Sequence, residues 1–241
     1  MTKENKNDEV SSSTIWIIAI AAVLILFNQI QLFQLNTMMG TPSVFSSFGG
    51  AFTSTSKGDL KNVDVSNIKS TAQSIAATIN LEGAKDAQTV IDRMIPKGQP
   101  AYGKEIGISY DDPVKALNFL ARELYPRIKQ DVETNKPEVW KRYINLATKP
   151  VGISCEECCG VGPVAVTSAG KLTCGCAHNP AIHAVVLYLM ANTDMSDAEV
   201  LREAMYWKAL WFPKNMVQIG LKISGGDASV LKDVPSQVGG C

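Results

Sequence analysis

The chain has no net charge to spend on a polyanion. Lysine plus arginine equal aspartate plus glutamate at 23 each, and no long single-sign block stands out. A basic nucleic-acid-binding surface is therefore not expected. Histidine is scarce, with 2 residues, and no H-E-x-x-H protease signature can be built from them. There is no C-x-x-C-H for covalent haem and no G-x-x-x-x-G-K-[ST] phosphate loop. No internal repeat is found, and the Val-Gly-Gly-Cys end is not a C-a-a-X prenylation signal.

Against this background one apolar run is conspicuous. Ile15 to Phe27 is uninterrupted, and the pattern continues more weakly as NQIQLFQL to Leu35. Residues 14–35 thereby reach the roughly 20 residues that a membrane-spanning helix needs. No A-x-A-like site follows Phe27, so an uncleaved anchor is expected rather than a signal peptide. Lys3 and Lys6 precede the run, and no Lys or Arg follows it until Lys57. The expected orientation is a cytoplasmic N-terminus, with the rest of the chain outside the cell membrane. Asn28, Gln31 and Gln34 would share one helix face, a possible contact with a second copy or with another membrane protein. The favoured reading is that they lie at the wet interface, because such amide pairs contribute only about 1 kcal/mol. Residues 1–13 read as a disordered cytoplasmic tail, and the Ser/Thr/Gly-rich residues 36–57 as a flexible linker.

From residue 58 the pattern is mainly α. Asn67 would cap a helix to about Asn80, and a second would run from Lys85 to Met94, stopped by Pro96. Asp112 before Pro113 is a strong start signal, better read as a cap than as a cation site. Pro126 should kink or end that helix. Asn135 before Pro137 would start the next, completing a helical subdomain over 58–150. Over 151–225, a cysteine-rich segment is followed by helices. There, residues 163–167 and 171–176 suggest a small β-hairpin. Asn179-Pro180 would begin a helix, and Ser196 with Glu199 forms a capping box before another, closed by Pro213. Trp140, Trp207, Trp211, Tyr206 and Phe212 fall at helical spacing and read as core. Residues 226–241 form a glycine-rich tail.

The chemistry is concentrated in 24 residues that hold five of the six cysteines: Cys155, Cys158, Cys159, Cys174 and Cys176, with His178. C-x2-C gives two sulfurs from one tight turn, and a second pair from the far end of a hairpin completes a tetrahedral set. Cys155, Cys158, Cys174 and Cys176 are the expected ligands, with Cys159 and His178 as alternates or supporting groups. Zinc is the first expectation. An iron–sulfur cluster would use four cysteines, and copper(I) would favour sulfur at low coordination. His183, one turn into the following helix, reads as a half-buried helix residue. Disulfides are the competing explanation outside the cytoplasm. Redox catalysis at Cys155-Glu-Glu-Cys158 is disfavoured, because Gly160, Gly162 and Pro163 prevent a helix from starting there. Two acidic neighbours would also raise the thiol pKa values.

The C-G-C-x-H run resembles bacterial membrane-anchored proteins with a CYCGC motif, which are regarded as metal-binding. Thr173 stands where that motif has tyrosine, and a preceding cysteine is missing. Paired Cys158-Cys159 and the terminal Val-Gly-Gly-Cys also resemble archaeal cysteine-rich proteins with CxxCC…CGCxH. The similarity covers about the last third of the chain and implies metal binding without an assigned activity.

Overall fold

A computed structural model describes residues 60–157 and 161–240. The proposed anchor, tail and linker (1–57) lie outside the described residues, as do Cys158, Cys159 and Cys241. Among the described residues no helix is long and apolar enough to cross a membrane.

The described chain is mainly helical. Its helices are α1 (Thr71–Thr78), α2 (Ala87–Met94), the single turn α3 (Gly103–Ile106), α4 (Pro113–Phe119), α5 (Tyr125–Asn135), α6 (Pro137–Ala147), α7 (His178–Asn192), α8 (Asp197–Trp211) and α9 (Pro213–Ser224). A π turn, Leu120–Leu124, joins α4 to α5, and a 3₁₀ turn spans Ala228–Val230.

Two helices make the centre. In α7 every residue from Ala181 to Met190 is buried, as an all-apolar helix requires. It packs on α4, the π turn, α5 and α6 on one side and on α8 on the other. α8 in turn packs on α1 and α9, and α9 covers α2. The core therefore continues from helices before the cysteine segment to helices after it. Trp207, Trp211 and Phe212 are fully buried, as expected, whereas Trp140 and Tyr206 are half-buried.

Local signals set the helix starts with mixed success. Asp112 caps α4 by accepting from the Lys115 N–H, and Ser196 and Glu199 complete the capping box of α8. Asn67 caps nothing: α1 begins three residues after Ile68, with the Ser70 hydroxyl accepting from the Gln73 N–H. Asn135 instead donates its amide to Asp131, and α6 starts at Pro137 without a side-chain cap. Pro126 does not end its helix. The π turn lets the Tyr125 N–H reach back to the Leu120 carbonyl, so Pro126 falls in the first turn of α5, where a missing N–H is tolerated. Pro213 both closes α8 and opens α9. The hairpin shrinks to one antiparallel bridge, Val166 with Leu172, flanked by Thr167 N–H to the Lys171 carbonyl at 2.9 Å. No strand forms among the described residues; the turn is too short to extend the ladder.

Candidate metal centre

The first ligand arm is the loop that leaves α6. Gly152 adopts φ +78°, and a Cβ there would lie 2.1 Å from the Thr71 hydroxyl, so only glycine lets the loop pass α1 this closely. The loop is closed at its base by the Gly152 N–H to the Pro163 carbonyl (3.2 Å) and by the Ser154 hydroxyl to the Gly162 carbonyl (2.7 Å). Cys155 lies fully buried inside it.

Helices grip this loop through its two acidic residues. Glu156 sits at φ +56°, an unfavourable region for a residue with a Cβ. Its carboxylate accepts from the Thr71 hydroxyl of α1 and pairs with the Lys208 ammonium of α8. Lys208 is 0% exposed, and its ammonium also donates to the Gly152 carbonyl at 3.0 Å. Glu157 accepts from the Asn215 amide of α9. The acidic pair thus anchors the loop, with the Glu156 charge compensated by a buried cation. Lys208 is the residue that holds the Cys155 loop from α8, and it is not among the residues the sequence analysis singles out. Its signal was a single charge inside the apolar stretch Trp207 to Trp211.

The second arm enters α7. Cys174 is buried and Cys176 half-buried. The Cys176 N–H donates to the Cys174 sulfur at 3.5 Å, and the Asn179 amide donates to the Cys174 carbonyl at 2.9 Å. The helix starts at His178, one residue earlier than the Asn179-Pro180 signal suggests. That registration turns His178 inward, fully buried against the rings of Phe212 (4.7 Å between centroids) and Trp211 (5.8 Å).

Cys155, Cys176 and His178 converge: their ligand atoms all lie within 4.8 Å of one another. Tetrahedral zinc with Zn–S near 2.3 Å and Zn–N near 2.0–2.1 Å holds its ligands about 3.5–3.8 Å apart, so a contraction of up to about 1.3 Å brings these three to zinc-ligand spacing. Cys174, an expected ligand, is not among the three converging groups; its sulfur accepts from the Cys176 N–H beside them. The Cys176 thiol is pushed up, first by its hydrogen bond with Cys155, then by burial and by a hydrogen bond with Cys174. The Asn179 backbone N–H acts in the opposite sense. Among the described residues no disulfide joins Cys155, Cys174 and Cys176 to one another.

His178 has a defined protonation pattern. Burial pushes its pKa down, opposed by the Val238 carbonyl and by Cys155, so the ring is neutral near pH 7. Nε2 faces the Val238 carbonyl at 3.3 Å. A carbonyl only accepts, so Nε2 carries the proton. Nδ1 is left as a buried lone pair with no hydrogen-bond partner among the described residues. That is the state a metal-binding imidazole needs: one nitrogen bare, the other donating to an outer acceptor. His183 belongs to a different environment. It is fully buried rather than half-buried, its Nδ1 lies 2.8 Å from the Tyr143 hydroxyl, and burial alone pushes its pKa down to about 3.

No protein-family model, curated protein or solved structure matches the chain.

Proposed function

We propose that this protein is a membrane-anchored metal-binding protein that presents a Cys/His site outside the cytoplasm. The single observation that carries the reading is the convergence of Cys155, Cys176 and His178, with a bare, buried Nδ1 on the imidazole. Cys174, next to Cys176, is taken as the fourth ligand, and Cys158 and Cys159, which follow Cys155 closely in sequence, are the alternates. Mixed thiolate and neutral imidazole donors favour zinc. Copper(I) is second, and an iron–sulfur cluster third because it draws on cysteines alone. The apolar run at residues 14–35 supplies the anchor, and the N-terminal lysines set its orientation. Cys176 is the least buried of the described site cysteines, which supports metal handling as the first reading.

A second reading has its own observation. Cys155 and His178 are fully buried, and α1, α8 and α9 hold the Cys155 loop, which suits a closed zinc that staples an interaction module.

The deciding experiment is elemental analysis and a visible spectrum of the full chain purified without added metal or oxidant. Stoichiometric, colourless zinc supports the proposal. Iron with sulfide, or copper, keeps the metal site and changes its chemistry. No metal, with thiols that resist alkylation until reduced, overturns it in favour of disulfides. Cys174→Ser separates the two readings: handling predicts lower metal loading on a folded domain, and stapling predicts loss of the fold around the loop.

A further inference from the structure

The imidazole of His178 is held by a segment far away in sequence. After α9 the chain returns along the end of α8. The Lys214 N–H donates to the Pro235 carbonyl at 3.1 Å, and the Val238 N–H donates to the Trp211 carbonyl at 2.8 Å. These two bonds carry the Val238 carbonyl over His178 Nε2. The next residue, Gly239, has φ +82°, and a Cβ on it would lie 2.7 Å from Leu117 Cδ2 and 3.8 Å from His178 Nε2. The left-handed φ favours glycine here, and a Cβ would also push the Leu117 side-chain tip aside.

We propose that residues 235–239 form an orienting strap for the metal site. The Val238 carbonyl holds the His178 proton on Nε2 and leaves Nδ1 bare as the donor atom for a metal, so the seating of the strap sets the site's metal affinity. The affinity half of this proposal rests on the metal-binding reading; the tautomer half does not. Without the strap, Nε2 and Nδ1 compete for the proton, and a ring protonated at Nδ1 no longer offers that nitrogen's lone pair to a metal. Outer-shell acceptors of this kind typically contribute about 10- to 100-fold in metal affinity. Val238 is a positioning residue, and it acts through its backbone.

The test uses the full chain labelled with ¹⁵N-histidine. The sequence has 2 histidines, and His183→Gln assigns the signals. Long-range ¹H–¹⁵N spectra of the metal-free protein should show His178 protonated at Nε2 and bare at Nδ1. Gly239→Val should produce a mixture of tautomers and weaken zinc binding about 10- to 100-fold. Gly240→Ala, at a position with open space around it, should change neither. A wild-type His178 protonated at Nδ1 overturns the proposal even if Gly239→Val fails to fold. An unchanged tautomer in a folded Gly239→Val chain overturns it too, whatever happens to zinc affinity. A wild-type chain that binds no zinc overturns the metal reading and the affinity half, while the tautomer change on Gly239→Val still decides whether the strap orients the ring.

Discussion

Replacing Lys208 by methionine should be among the most damaging single changes in this protein. The ammonium is 0% exposed and serves both the Glu156 carboxylate, itself 22% exposed, and the Gly152 carbonyl. Methionine keeps the length and removes the charge. Glu156 then retains only the Thr71 hydroxyl, and the Gly152 carbonyl loses its donor. Removing one partner of a buried ion pair costs about 3–5 kcal/mol. Because the Glu156 side chain is partly exposed, water can recover some of its solvation, and the low end, about 3 kcal/mol, is expected. Glu156 also holds a positive φ that costs about 1–2 kcal/mol by itself, so the loop has reason to relax once the pair is gone. For a folded unit of this size, about 3 kcal/mol lowers Tm by about 6–12 °C. The assay is urea unfolding of the metal-free chain, followed by the fluorescence of Trp207 and Trp211, which flank the pair in α8. The double variant Lys208→Met/Glu156→Gln removes both charges and should regain part of the loss. A single-variant loss below about 1 kcal/mol, or a double variant worse than the single, would refute the claim that a buried pair holds the Cys155 loop.

Two further outcomes follow from the same geometry. His183 is neutral when folded, with its pKa pushed down to about 3 by burial, and has an ordinary value near 6.5 when unfolded. As pH falls, the unfolded chain takes up that proton first. The stability contribution is therefore complete above about pH 6.5 and is lost progressively down to about pH 3, reaching about 3 kcal/mol by pH 4.5. His183→Gln should flatten stability between pH 6 and 4, and an unaltered pH profile would contradict this. Gly152→Ala combines a left-handed φ with a Cβ 2.1 Å from the Thr71 hydroxyl, and should destabilise by more than about 2 kcal/mol. Gly175→Ala, which meets nothing within 4 Å, should be nearly neutral in the same unfolding assay.

The parts of the structure legible in the sequence are those written in short stretches. Asp112-Pro113 and Ser196-x-x-Glu199 specify helix starts because the capping partners lie within one turn. The cysteine spacing marks the segment in which Cys155, Cys176 and His178 converge, while the expected partner Cys158 lies outside the described residues and Cys174 is not one of the three converging groups. What escaped was settled by distant residues. The width of the Leu120–Leu124 turn, which carries Pro126 into α5, depends on packing against α7. The acceptor that His178 Nε2 faces, the Val238 carbonyl, is 60 residues away in sequence. Glu156 and Glu157 looked like charges that perturb thiols. Their partners Lys208 and Asn215 arrive from two later helices and turn them into anchors.

The most direct measurement is X-ray absorption at the zinc edge on the full chain loaded with one equivalent of zinc, beside the Cys176→Ser variant. The account predicts a four-coordinate shell of sulfur near 2.3 Å with one nitrogen near 2.0–2.1 Å, and the loss of one sulfur in the variant. A shell of oxygen and nitrogen alone, or an identical shell after Cys176→Ser, would contradict a metal centre built from Cys155, Cys174, Cys176 and His178.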